Sequence, residues 1–129
     1  MDGFMSHILW KIPVPATALI NDPLFSQLSK RQCSLSFGIE DDENDSLKLI
    51  TLLFEGVEAF RCTYLTGLTV EMINTAYGKL VDLDETGWLK EIKQLSKEKG
   101  KPPHGLTHMM ICFDDGPCYE FICSGFQPA

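Results

Sequence analysis

Apolar and polar positions alternate along much of the chain. Cys33, Leu35, Phe37 and Ile39 take turns with Ser34, Ser36 and Gly38, which predicts a strand with one buried face. From Leu47 to Phe54 only Lys48 and Thr51 interrupt an apolar run, so this strand is expected to lie centrally with both faces covered. Val57 to Leu65 places Phe60, Cys62 and Tyr64 on one side and Arg61 and Thr63 on the other, again a strand. With Glu55-Gly56 as a tight turn, these three strands predict an antiparallel meander. Met5 to Ile12 reads as an earlier strand, ended by Pro13-Val14-Pro15. The stretch from Ala16 to Lys30 has no decisive period.

After Thr66-Gly67 the spacing changes to three and four. Met72, Ile73, Ala76, Tyr77 and Leu80 form the stripe of a short helix that Thr69 caps. Trp88, Leu89, Ile92 and Leu95 form the stripe of a second, with Asp82, Asp84 and Glu85 ahead of it, Lys97 and Lys99 at its end, and Gly100-Lys101-Pro102-Pro103 as its stop. The chain closes with a hairpin of Thr107–Phe113 and Cys118–Ser124 around Asp114-Asp115-Gly116-Pro117. A loop of two or four residues sets Phe113 opposite Cys118 and His108 opposite Cys123. The expected fold is α+β, a single domain over residues 1–129: a mostly antiparallel sheet of five to six strands with two helices on one face.

Charge narrows the classes of ligand. Eighteen Asp and Glu against eleven Lys and Arg give a net charge of −7, which argues against binding to phosphate backbones. Five of those carboxylates, Glu40, Asp41, Asp42, Glu43 and Asp45, fall in one predicted turn. No stretch reaches the roughly 18 to 20 apolar residues of a membrane span, and no basic region precedes the apolar N-terminal stretch, so a cytoplasmic protein is expected. The five cysteines (Cys33, Cys62, Cys112, Cys118, Cys123) contain no CxxC pair and read as reduced core residues.

Candidate chemistry thins on inspection. In the expected hairpin register Cys118 points away from Cys112 and Cys123, which are about 13 Å apart along the ladder, too far for one tetrahedral zinc. His104 and His108 are the further ligands that such a site would use. The acidic turn lacks the Gly and Glu of a calcium loop: counted from Asp41, Ser46 and Leu52 occupy their places. The glycines are too scattered for a phosphate loop. No metal, cofactor or catalytic group is expected. An enzyme or small-ligand binder with a sheet–helix pocket around His108, Cys123 and Tyr77 is the alternative.

Lys79-Leu80-Val81-Asp82, Gly87-Trp88-Leu89-Lys90-Glu91, the run from His108 to Asp114, and Cys118-Tyr119-Glu120-Phe121-Ile122 resemble a group of small uncharacterised bacterial proteins. Phe54 to Arg61 fits the same pattern. The likeness covers the C-terminal two-thirds; the first 45 residues lie outside it. Met109 departs from the group, where Tyr more often follows the His. Some members of such groups are similar to immunity proteins of polymorphic or contact-dependent toxin systems. The resemblance implies a non-enzymatic inhibitor of a toxin, and it carries no catalytic residues. An acidic chain suits the basic cleft of a nuclease toxin. The turn carboxylates Glu40, Asp41, Asp42, Glu43 and Asp45 are the first candidates for the contact, with Asp82, Asp84 and Glu85 second. A homodimer formed through a strand edge is a further expectation.

Overall fold

The computed structural model describes residues 6–15, 19, 22–28, 30–41, 46–100, 105–114 and 117–129. In chain order the elements are β1 (His7–Lys11), β2 (Leu24–Gln27), β3 (Cys33–Asp41), β4 (Ser46–Glu55), β5 (Ala59–Thr63), α1 (Val70–Ala76), β6 (Lys79–Asp82), α2 (Gly87–Glu98), β7 (Thr107–Cys112), β8 (Cys118–Cys123) and β9 (Gly125–Pro128). The fold is α+β with antiparallel strand pairing, but the strands form two sheets rather than the expected one. A five-stranded sheet runs β1-β6-β7-β8-β5, and a four-stranded sheet runs β2-β3-β4-β9.

Alternation explains the layering. The odd residues of β3 (Cys33, Leu35, Phe37, Ile39) and the even residues of β4 (Ile50, Leu52, Phe54) turn inward from the four-stranded sheet. Leu80, Met109, Ile111, Phe113, Tyr119, Phe121 and Cys123 meet them from the other. Phe54 stacks on Phe121 at 4.0 Å between ring centroids, and Phe37 meets Phe113 edge-on at 5.4 Å. The expected meander fails at Glu55-Gly56. There the chain leaves the four-stranded sheet, and β5 pairs with β8 instead of β4. Ser124 makes the return crossing to β9 at the same corner, its backbone N–H donating to Glu55 O at 3.0 Å and its hydroxyl to the same oxygen at 3.1 Å. Such corners let strands switch sheets and close a sandwich. Gly56 is required here: φ is +62°, and a Cβ would come 2.1 Å from Ser124 Oγ.

The other face of the five-stranded sheet carries the helices. α1 ends at Ala76, earlier than the stripe through Leu80 suggests. Gly78, at φ +69°, turns the chain into β6, where Leu80 points into the sandwich and Val81 toward α1. In α2 the expected stripe is only partly covered: Leu89 is buried, Ile92 half-buried and Leu95 exposed. The hairpin register is also shifted by one. Cys112 pairs with Cys118 and His108 with Ile122, so Cys118, Glu120 and Ile122 share a face with His108, Met110 and Cys112. Among the described residues, no helix is long and apolar enough to cross a membrane.

Candidate functional site

The shifted register assembles a buried polar cluster under the start of α2. Glu120 and His108, 1% and 2% exposed, lie two residues apart across the β7–β8 ladder, with His108 Nε2 2.8 Å from Glu120 Oε1. On the opposite flank β5 sets Arg61 directly across from Glu120. Its guanidinium clasps the carboxylate through Nε to Oε2 at 2.8 Å and Nη2 to Oε1 at 3.0 Å. Burial pushes the Glu120 carboxyl up, but hydrogen bonds from His108 and Arg61 and the guanidinium charge outweigh it and hold the group below its ordinary range.

Thr86 extends the chain of contacts to the helix. As the N-cap of α2 its hydroxyl accepts the Leu89 N–H at 3.2 Å, and the same oxygen lies 2.7 Å from His108 Nδ1. With Glu120 ionised, Nε2 is the ring nitrogen that donates to it, and Nδ1 is the one that meets the Thr86 hydroxyl. Trp88 closes the cluster, with the Arg61 guanidinium 4.2 Å from its ring centroid and His108 edge-on at 5.1 Å. The order hydroxyl, imidazole, carboxylate is that of an acyl-transfer relay. Here, however, the hydroxyl is engaged as a cap and the imidazole is sealed, so the arrangement fastens α2 to the sheet. Replacing Thr86 by Ala removes the cap and strips His108 Nδ1 of its partner, and is expected to cost about 1.5 kcal/mol. Denaturant unfolding, with amide exchange in the first turn of α2, measures that loss.

The carboxylates singled out from sequence fall in separate places. Glu40 is exposed and pairs across the ladder with Leu47. Asp41 ends β3, while Asp42, Glu43 and Asp45 lie outside the described residues. Asp82 ends β6 opposite Met109, toward the Phe121 level of the sandwich, whereas Glu40 lies beyond Phe37 and its contact with Phe113. Glu40 and Asp82 therefore lie toward opposite ends of the sandwich. Asp82 Oδ1 accepts the Asp84 N–H at 2.8 Å, and Glu85 is paired with Lys93 at 2.7 Å.

The residues of the pocket reading are also dispersed. Cys123 is on the sandwich side of the hairpin, its thiol 3.7 Å from Met109 Sδ and pushed up to about 12 by burial. His108 is on the helix side, and the Tyr77 hydroxyl donates to Asp114 at the hairpin tip at 2.8 Å. Two open grooves, of about 410 Å³ beside Arg31, Val57 and Phe60 and about 320 Å³ beside Trp10, Lys48 and Leu49, are lined by none of these residues. No group of three or more His, Cys, Asp or Glu among the described residues is placed to hold a metal.

One surface was not foreseen. The outward face of the four-stranded sheet is open to solvent at Leu24, Leu47 and Leu49, contrary to the expectation that both faces of β4 are covered. Leu24, Leu47 and Leu49 are 64%, 71% and 68% exposed. Between Leu24 on β2 and the leucines of β4, β3 presents Ser36 and Gly38, and the Ser36 and Thr51 hydroxyls are 2.9 Å apart. Glu40 borders this face beside Leu47. The apolar run from Leu47 to Phe54 was the signal for it, since a strand apolar on both sides needs two covers. Comparison of the chain with protein-family models, curated proteins and solved structures finds no match.

Proposed function

We propose that the chain is a non-enzymatic binding protein that seats a basic protein partner on the outward face of its four-stranded sheet. The observation carrying this reading is the exposure of Leu24, Leu47 and Leu49 beside Glu40, in a chain of net charge −7. Contiguous exposed apolar surface bordered by charge is characteristic of interaction sites. The leucines supply desolvation, while the carboxylates of the adjoining turn supply encounter rate and choice of partner. Immunity-type inhibition of a toxin fits the same surface, because a basic nuclease cleft would accept carboxylates in place of phosphates. The internal saturation of the Arg61–Glu120–His108 cluster supports a structural rather than a catalytic part for those residues.

The test is binding to the protein encoded beside this chain's own gene, followed by calorimetry at low and high salt. Leu47→Asp with Leu49→Asp is expected to weaken binding at least about tenfold. Glu40→Gln is expected to lower the association rate and flatten its salt dependence. Binding unchanged by all three substitutions would remove the proposal. Sedimentation of the chain alone separates it from self-association.

A further inference from the structure

The hairpin register brings two thiols together that the sequence spacing had set apart. Cys112 and Cys118 are directly opposed, with their sulfurs 2.9 Å apart. The Phe113 N–H donates to Pro117 O at 3.3 Å. Hydrogen-bonded and non-hydrogen-bonded pairs alternate along an antiparallel ladder, so the Cys112–Cys118 pair is non-hydrogen-bonded. Such pairs have Cα atoms about 4.5 Å apart, inside the range of about 4.4 to 6.8 Å that a disulfide spans. Both side chains are buried on the helix side of the sheet, packed with Ala76, Val81 and Met110. Cys112 Sγ also lies 3.6 Å from the Met72 carbonyl oxygen of α1. Cys62 is the exposed thiol, and it lies elsewhere, on β5 opposite Tyr119.

We propose that Cys112 and Cys118 form a reversible thiol–disulfide site whose oxidation loosens α1. The oxidant is a low-molecular-weight disulfide. One cysteine gives up its proton to solvent and its thiolate attacks the disulfide, forming a mixed disulfide and releasing one small thiolate. The second cysteine, likewise deprotonated, attacks the protein sulfur of that mixed disulfide and expels the second small thiolate. The two protons end on the released thiols. The two protein thiols have lost two electrons and the small disulfide has gained them. Contact with Cys112 and burial both push the Cys118 thiol upward, so the covered dithiol is unreactive and exchange waits on the lifting of α1. Once the bond closes, Cys112 has no hydrogen to donate to Met72 O, and the helix loses that tie.

The folded protein is incubated with oxidised glutathione, quenched in acid, alkylated and analysed by intact mass and peptide mapping. The expected product has lost about 2 Da before alkylation, carries two fewer reactive thiols and holds a Cys112–Cys118 cross-link. Dithiothreitol reverses it. Cys62→Ser and Cys123→Ser retain the cross-link, Cys112→Ser abolishes it, and amides of α1 exchange severalfold faster in the oxidised protein. A cross-link between other cysteines, glutathione on Cys62 alone, or all five thiols remaining free would overturn the proposal. Unchanged exchange in α1 would overturn its second half.

Discussion

Truncation of Phe121 to Ala is expected to destabilise the protein by about 4 kcal/mol, within the range for a fully buried aromatic. The ring is inaccessible to solvent and stacks on Phe54 with its plane 13° away, and Phe25 packs beside it at 6.2 Å. Its contacts hold one sheet to the other. Two sheets hydrogen-bonded along their strands cannot sag into the space a lost ring leaves, so the cavity persists and adds to the lost transfer energy. Phe60, the partner of Phe121 on β5, is 42% exposed, and its truncation should cost less than half as much. Denaturant midpoints of the two variants measure the contrast. Phe54→Ala with Phe121→Ala should cost clearly less than the sum of the singles, because both remove one stack. Additive losses would mean that the two rings act in separate parts of the core.

Single elements of this fold were legible where one period ran uninterrupted. β3 shows its buried face residue by residue, and α2 shows its apolar stripe and its closing Lys97 in the local sequence, though its N-cap Thr86 did not stand out there. The hairpin register was not legible, for a physical reason. β7 is buried between the second sheet and the helices from His108 onward and β8 throughout, so Thr-His-Met-Met-Ile-Cys and Cys-Tyr-Glu-Phe-Ile-Cys lack the polar alternation that would select one register. A loop with an odd number of residues was then enough to turn β8 over. Leu80 misled differently. It continues the spacing of Met72, Ile73 and Ala76, yet Gly78 ends the helix and β6 has four residues, too few to declare a period. The cluster leaves one trace in the sequence: Glu120 is the only charge in a strand otherwise apolar, and such a carboxylate requires a cation. Arg61, the only cation of β5, lies 59 residues away, and its role depends on a sheet pairing that local pattern does not encode.

Arg61→Met is expected to cost about 3 kcal/mol at neutral pH, mostly through the charge it strands rather than the bonds it deletes. Arg61 is itself half in solvent, but Glu120 is sealed, and without the guanidinium His108 is the one partner of its carboxylate among the described residues. The pH dependence separates this account from simple loss of packing. In the native protein the folded Glu120 carboxyl lies below its ordinary value of 4.5. Its contribution to stability is therefore complete above that value and is lost as pH falls through the folded one. Without the hydrogen bonds and charge of Arg61, burial is opposed by His108 and the folded carboxyl moves upward, so the variant gains less stability than the native protein as pH rises through that window. The gap between the two proteins should be widest near neutrality and narrow toward pH 4, about where unfolded Glu titrates. A packing loss would give a constant gap. Adding His108→Leu and Glu120→Leu to Arg61→Met should recover most of the loss, since apolar groups of similar volume replace buried ion pairs at little cost. If that triple variant also binds the partner as the native protein does, the cluster serves to hold α2 in place. Loss of binding with stability restored would instead put Arg61 in the contact.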